Sequence, residues 1–135
     1  MEHHEPEAAP RYRTCWGRIQ SFKYAGRGVA FMLRTQHNAW IHAAMSLLVV
    51  GAGIALGVSR DDWCWLILAM ASVWTAESFN TALEIIVDLS SPERHPAAGR
   101  AKDVAAGAVL LCAAGATAIG FIVFLPHLIE LVRSF

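Results

Sequence analysis

The sequence predicts an all-α membrane protein made of an N-terminal amphipathic surface helix and three transmembrane helices. Three observations carry this. Of its 135 residues, 56% are hydrophobic and only 16% charged, far from the balance of a soluble domain, and the mean hydropathy is +0.42. Three apolar segments, 41–59, 63–87 and 104–125, are each long enough to cross about 30 Å of hydrocarbon at about 1.5 Å per residue. A stretch rich in both basic and aromatic side chains precedes the first of them.

The elements follow in chain order. Residues 1–13 carry Glu2, Glu5 and Glu7 with Pro6 and Pro10, a composition that reads as a disordered tail. The first twenty residues hold no apolar core ahead of a cleavage site, so no signal peptide is expected. Residues 14–135 then form a single domain. Over 14–36, Trp16, Ile19, Phe22, Phe31 and Met32 alternate with Arg18, Lys23, Arg27 and Arg34, the pattern of a helix lying on a membrane surface. Gly26 and Gly28 weaken it locally or let another backbone come close. The span 41–59 has no formal charge, residues 60–62 form the first loop, and 63–87 is apolar except around Glu77 and Glu84. Pro92 and Pro96 break the second loop, which carries Arg94, His95, Arg100 and Lys102. Asp103 opens the uncharged span 104–125, and Pro126 marks its exit. Gly107, Gly115 and Gly120 within it predict close helix packing. Trp40, Trp63 and Trp65 fit an aromatic belt, with His42 and His127 near span ends.

Charge placement sets the orientation. Six of the eleven Lys and Arg residues precede the first span, one lies in the first loop and one follows the last span. The positive-inside rule puts the N-terminus and the second loop in the cytoplasm. The formal net charge is zero, so nothing calls for a nucleic-acid partner. Cys15, Cys64 and Cys112 have no metal-type spacing. Cys64 and Cys112 read as small apolar residues within spans, and Cys15 as a reduced cytoplasmic thiol.

The informative stretch is ESFNTALEIIVD, residues 77–88. Glu77 and Glu84 lie seven apart and share one helix face, Asn80 falls between them, and Asp88 continues the stripe. Phe79, Leu83 and Ile86 take the opposite face. A carboxylate in hydrocarbon costs at least about 2.5 kcal/mol, so the stripe calls for partners, water or a cation. A packing seam, a proton or ion relay, and a catalytic site all meet that need. The loop LSSPERHPAAGRAKD (89–103) adds cationic groups beside the acids. A proton path does not need them, whereas phosphoryl transfer needs carboxylates for Mg²⁺, cations for phosphate oxygens and a base for the attacking hydroxyl. No GxxxxGK motif or kinase Gly-rich loop is present, which excludes the familiar soluble nucleotide folds.

These residues resemble a known family. ESFNTALEIIVD (77–88), then HP (95–96) and AKDVAAGAVLL (101–111), are similar to the signature of the prokaryotic diacylglycerol kinase and undecaprenol kinase family. SFKYAGRGV (21–29) and FLP (124–126) are similar as well. The resemblance implies an ATP- and Mg²⁺-dependent kinase of a membrane lipid alcohol, multi-pass in the bacterial inner membrane. It implies a homotrimer with sites shared between subunits. Glu77 matches the general base and Glu84 a metal-binding carboxylate, while Asn80 matches a polar residue of the same site. Lys102, Asp103, Glu93, His95 and Tyr24 match nucleotide-contacting positions. Where the family often has a second metal-binding Glu, in a stretch like ERN, this chain has TQHN, so Gln36 takes that place with a weaker, neutral ligand. The acceptor is diacylglycerol or undecaprenol, with NTALE, HP and FLP leaning toward the latter. A proton- or ion-coupled membrane protein, and a non-catalytic scaffold derived from the family, are the other readings.

Overall fold

The computed structural model describes residues 15–91, 93 and 95–134. The tail expected over 1–13, the Cys15 thiol and the loop residues Pro92 and Arg94 lie outside the described residues. Four helices follow one another: α1 Cys15–Thr35, α2 His37–Leu56, α3 Arg60–Ser90 and α4 Pro96–Arg133. Helices α2 and α4 contain 18-residue windows of mean hydropathy 1.9 and 2.5, apolar enough to cross a membrane. Helix α3, at 31 residues, is long enough but is made less apolar by Glu77, Asn80 and Glu84. It packs along α4 across a short connection, but of the three expected spans only α2 and α4 are, among the described residues, long and apolar enough to cross a membrane.

The buried positions of α3 are Leu66, Ala69, Val73, Glu77, Asn80 and Thr81. Their spacing of three and four is one helical stripe, apolar at the start and polar toward the end. Phe79 and Ile86, at 66% and 57% exposure, face away from it, as the sequence predicts. Large apolar side chains such as Phe22, Leu47, Leu110 and Ile122 are likewise exposed. Water would expel such a surface and hydrocarbon accepts it.

The joints are tighter than the sequence implies. Gly57 takes the left-handed conformation (φ 63°) that ends α2 and that glycine adopts at no steric cost. Ser59 then caps α3 reciprocally with Asp62: Ser59 Oγ accepts from the Asp62 amide at 3.1 Å, and Asp62 Oδ2 accepts from the Ser59 amide at 3.0 Å. Residues 60–62, expected as a loop, are therefore the first turn of α3. Here Val58, Leu66 and Val123 form a small core with Trp63 against it. At the other end, Pro96 is the first helical residue of α4 behind the capping His95, a position where the missing N–H costs nothing. Lys102 and Asp103 thus lie in the second turn of α4, not in a loop.

Two further expectations are corrected. Pro126 does not end the last helix, which runs on to Arg133. Proline removes one backbone bond there, but the His127 ring Nδ1–H donates to the Val123 carbonyl at 2.8 Å, and His127 Nε2 lies 4.0 Å from Asp62 Oδ2. The last turns of α4 are held against the start of α3 by Val123, which packs with Val58 and Leu66 in the small core. The glycines of α4 do not mediate close packing within the chain, because a Cβ at Gly107, Gly115 or Gly120 would meet nothing within 4 Å. The close approach is at Gly53, where a Cβ would lie 2.8 Å from Trp63 Cη2. Helix α1 is unbroken at Gly26 and Gly28.

Candidate active site

A single extended residue, Gln36 (φ −102°, ψ 118°), separates α1 from α2. Its side chain does not cap α2. It reaches across to α3, where its amide Nε2 donates to Glu84 Oε2 at 3.1 Å. Asn80, one turn before Glu84, donates from Nδ2 to Glu84 Oε1 at 2.9 Å. Both oxygens of the half-buried Glu84 are thus bound by neutral amides, one from its own helix and one from the joint. Asn80 Oδ1 is buried without a partner. Met32, buried in α1, lies with its sulfur 3.5 Å from the Ser78 hydroxyl, a contact of the end of α1 with α3.

Glu77 lies two turns deeper and is 1% exposed. Neither carboxylate oxygen has a hydrogen-bond partner. The nearest basic group is His42 on α2, whose Nε2 is 3.9 Å from Glu77 Oε2. That atom is also buried and unpartnered. The His42 ring packs edge-on to Trp74, centroids 6.4 Å apart, and Trp74 Nε1 donates to Ser46 Oγ at 3.1 Å. Beneath them, Thr81 donates to the Glu77 carbonyl at 2.9 Å. Unpartnered buried polar atoms are rare and costly, and four of them (Glu77 Oε1 and Oε2, His42 Nε2, Asn80 Oδ1) gather here.

A second group forms at the open end of the α3–α4 pair. A cavity of about 470 Å³ is lined by Asp88, Ser91, Glu93, His95, Gly99 and Lys102, among others. Lys102 pairs with Asp88. Ser91 donates to the Glu93 carbonyl at 3.1 Å, and His95 Nδ1 accepts from the Ala97 amide at 3.1 Å. Asp88 follows the acidic stripe by spacing but is exposed and turned to Lys102, so it leaves the buried row. From Glu77 to Asp88 the rise along the helix is about 16 Å.

The structure therefore sorts the residues singled out from the sequence. Gln36, Glu77, Asn80 and Glu84 come together in the buried stripe. Glu93, His95 and Lys102 come together at the cavity. Asp103 is exposed on α4 and Tyr24 is 60% exposed on α1, with the Arg27 guanidinium 5.7 Å from its ring centre. Neither is drawn into the two groups. The sequence marks His42 only as a residue near a span end, and its place opposite Glu77 depends on how α2 packs on α3. Its one sequence signal is a titratable side chain inside an otherwise uncharged span.

The residues fit a divalent cation of the Mg²⁺ type only in part, as a half-site. Among the described residues no cluster of three or more His, Cys, Asp or Glu could hold a metal. Glu84 with the amide oxygens of Asn80 and Gln36 offers hard oxygen donors with one negative charge. Turning either amide exchanges N and O in place, and Asn80 Oδ1 is already free of protein partners. Mg²⁺ commonly takes one or two carboxylates and completes its shell with water and substrate phosphates.

Comparison with known proteins gives a consistent picture. The family model described as prokaryotic diacylglycerol kinase matches residues 23–124. An undecaprenol kinase of Bacillus subtilis (strain 168) is 39% identical over 110 residues, covering 82% of this chain and 89% of its own. A diacylglycerol kinase of Synechocystis sp. is 40% identical over 115 residues, 84% of this chain and 66% of its own. A diacylglycerol kinase of Haemophilus influenzae is 27% identical over 108 residues, 78% of this chain and 92% of its own.

Proposed function

The chain belongs to the prokaryotic diacylglycerol kinase family and is a lipid kinase of the membrane, and from that premise we propose that it transfers the γ-phosphoryl group of ATP, bound with Mg²⁺, to the hydroxyl of diacylglycerol or undecaprenol. The reaction takes place at the cytoplasmic face of the bacterial inner membrane, with the N-terminus on that side and the acceptor arriving laterally in the bilayer. A homotrimer is the assembly the family resemblance implies. It would give the exposed apolar faces of the three spans a partner. The relatives include both kinds of lipid kinase at nearly equal identity, so the two acceptors are tested side by side.

One observation carries the reading: a fully buried carboxylate with both oxygens unpartnered, Glu77, on the same helix face as an amide-held carboxylate, Glu84. A proton acceptor for a lipid hydroxyl needs free lone pairs in a place water does not fill. Glu77 has both. It takes the hydroxyl proton as the oxygen attacks the γ-phosphorus, and the bond to the bridging oxygen of the diphosphate breaks. Glu84, Asn80 and Gln36 would hold Mg²⁺, which when bound offsets negative charge on the phosphate oxygens. Lys102 leaves Asp88 to meet the phosphates, in the cavity that Glu93 and His95 border.

The test is Glu77→Gln in purified protein with Mg-ATP and each lipid in turn. Transfer of ³²P to lipid is expected to fall by at least about a hundredfold, the scale of general-base loss, with ATP binding retained. A variant that still phosphorylates lipid at the unmutated rate removes Glu77 from the chemistry. Unmutated protein that phosphorylates neither alcohol favours a scaffold role.

A further inference from the structure

We infer that His42 is the second binding partner of the acceptor hydroxyl, holding its oxygen against Glu77 from the opposite helix. The inference rests on the lipid-kinase reading of the site and adds to it a residue that fixes the acceptor.

Three of the unpartnered buried polar atoms face one another across the α2–α3 contact: both Glu77 oxygens and His42 Nε2. At 3.9 Å the nearest pair is too far apart to bond directly. Both atoms are closed to water in this structure, so a small parting of α2 from α3 is needed before one group can sit at about 2.8 Å from each of them. The group must donate to a carboxylate and accept from an imidazole N–H. A hydroxyl does both with one oxygen. Its O–H proton points to Glu77, one lone pair accepts the His42 Nε2–H, and the other lone pair remains to attack phosphorus. On transfer the proton passes to Glu77, the new P–O bond forms, the bridging P–O bond breaks and ADP leaves. His42 keeps its proton throughout.

An independent feature says what the hydroxyl is attached to. His42 also lines an apolar groove of about 380 Å³ that runs between α2, α3 and α4 past Met45, Val49, Val73, Phe121 and Leu125. The groove is walled almost wholly by carbon, and His42 is the residue it shares with the Glu77 pair. Hydrocarbon ends and polar chemistry begins at this side chain. An alcohol whose tail lies in the groove therefore presents its oxygen between His42 and Glu77. The edge contact with Trp74, itself anchored on Ser46, fixes the ring in that direction.

The experiment compares unmutated protein, His42→Leu and His42→Gln, reconstituted with Mg-ATP and either diacylglycerol or undecaprenol. His42→Leu is expected to raise the KM for the lipid alcohol roughly tenfold, the loss of one hydrogen bond, with the KM for ATP unchanged. His42→Gln, which keeps an N–H donor, recovers part of the loss. A lipid KM unchanged in His42→Leu overturns the inference. So does a parallel loss in lipid KM, ATP KM and thermal stability, which marks a packing role. If the leucine variant does not assemble, ¹⁵N-histidine NMR of the unmutated protein decides. The His42 Nε2 resonance shifts with the lipid alcohol and not with the same lipid acylated at its hydroxyl, and equal responses to both overturn the inference. Unmutated protein that phosphorylates neither lipid refutes the kinase reading itself, a result distinct from any of these.

Discussion

Restoring a carboxylate at the α1–α2 joint, Gln36→Glu, turns the Glu84 site from a neutral-held into a doubly acidic one. In the structure Gln36 Nε2 donates to Glu84 Oε2 at 3.1 Å. The substitution replaces that donor with a second anion in nearly the same place. Two unit charges 4 Å apart repel by about 4 kcal/mol at an effective dielectric constant of about 20. A lost hydrogen bond to a charged group adds about 1.5–3 kcal/mol. Residue 36 sits at the edge of the site, so its carboxylate can swing toward water, and the expected destabilisation without divalent ions is about 2–4 kcal/mol. Mg²⁺ reverses the sign: two carboxylates hold it better than one. The assay is thermal unfolding of both proteins in detergent, with EDTA and across a Mg²⁺ titration, alongside the apparent Mg²⁺ requirement of lipid phosphorylation. The variant is expected to melt lower in EDTA, gain more from Mg²⁺, and reach half-maximal activity at lower Mg²⁺. Equal Mg²⁺ responses in the two proteins refute the placing of the cation at Glu84 and residue 36.

Two stability predictions concern the opposite end of the bundle. Gly53→Ala drives a methyl to 2.8 and 2.9 Å from the Trp63 ring and is expected to destabilise by about 1–3 kcal/mol. Gly51→Ala, with nothing within 4 Å, is neutral or stabilising by up to about 1 kcal/mol in the same thermal melt. Ser59→Ala removes the cap of α3 and lowers the melting temperature at neutral pH. The Ser59 hydroxyl, more than any other group, holds the Asp62 carboxyl below its ordinary value of 3.8. The stability from that bond is fully present above pH 3.8 and is lost as pH falls through the lower folded value. The gap between unmutated and variant proteins narrows there, and a gap constant with pH contradicts the cap.

The acidic stripe was legible because helical periodicity alone puts Glu77, Asn80 and Glu84 on one face, and the cost of exposing them to hydrocarbon turns that face inward. The Gln36–Glu84 contact was legible only through family resemblance, since no local rule joins residues 48 apart. His42 stayed hidden for the same reason: its partner is chosen by helix packing. Loop ends are ambiguous in the sequence where a residue carries two meanings. Proline both breaks helices and starts them, and at Pro96 the capping His95 decides for a start. At Pro126 tertiary contacts outweigh one missing bond. Glycine spacing in α4 matched a packing motif, while the glycine under a ring, Gly53, stood outside any such run.

Helix α3 has an axial offset of about 16 Å between Glu77 and the Asp88–Lys102 pair. About half a bilayer's hydrocarbon thickness thus separates the oily end of the proposed reaction from its wet end, on one rigid rod. For a water-soluble donor and an oil-soluble acceptor to react, the phosphate chain of the donor must run inward along this rod toward Glu77, while the rest of the nucleotide stays at the wet end and the lipid tail stays in the oil. Such a protein needs no lid to exclude water and no carrier to extract the lipid, because the membrane itself does both.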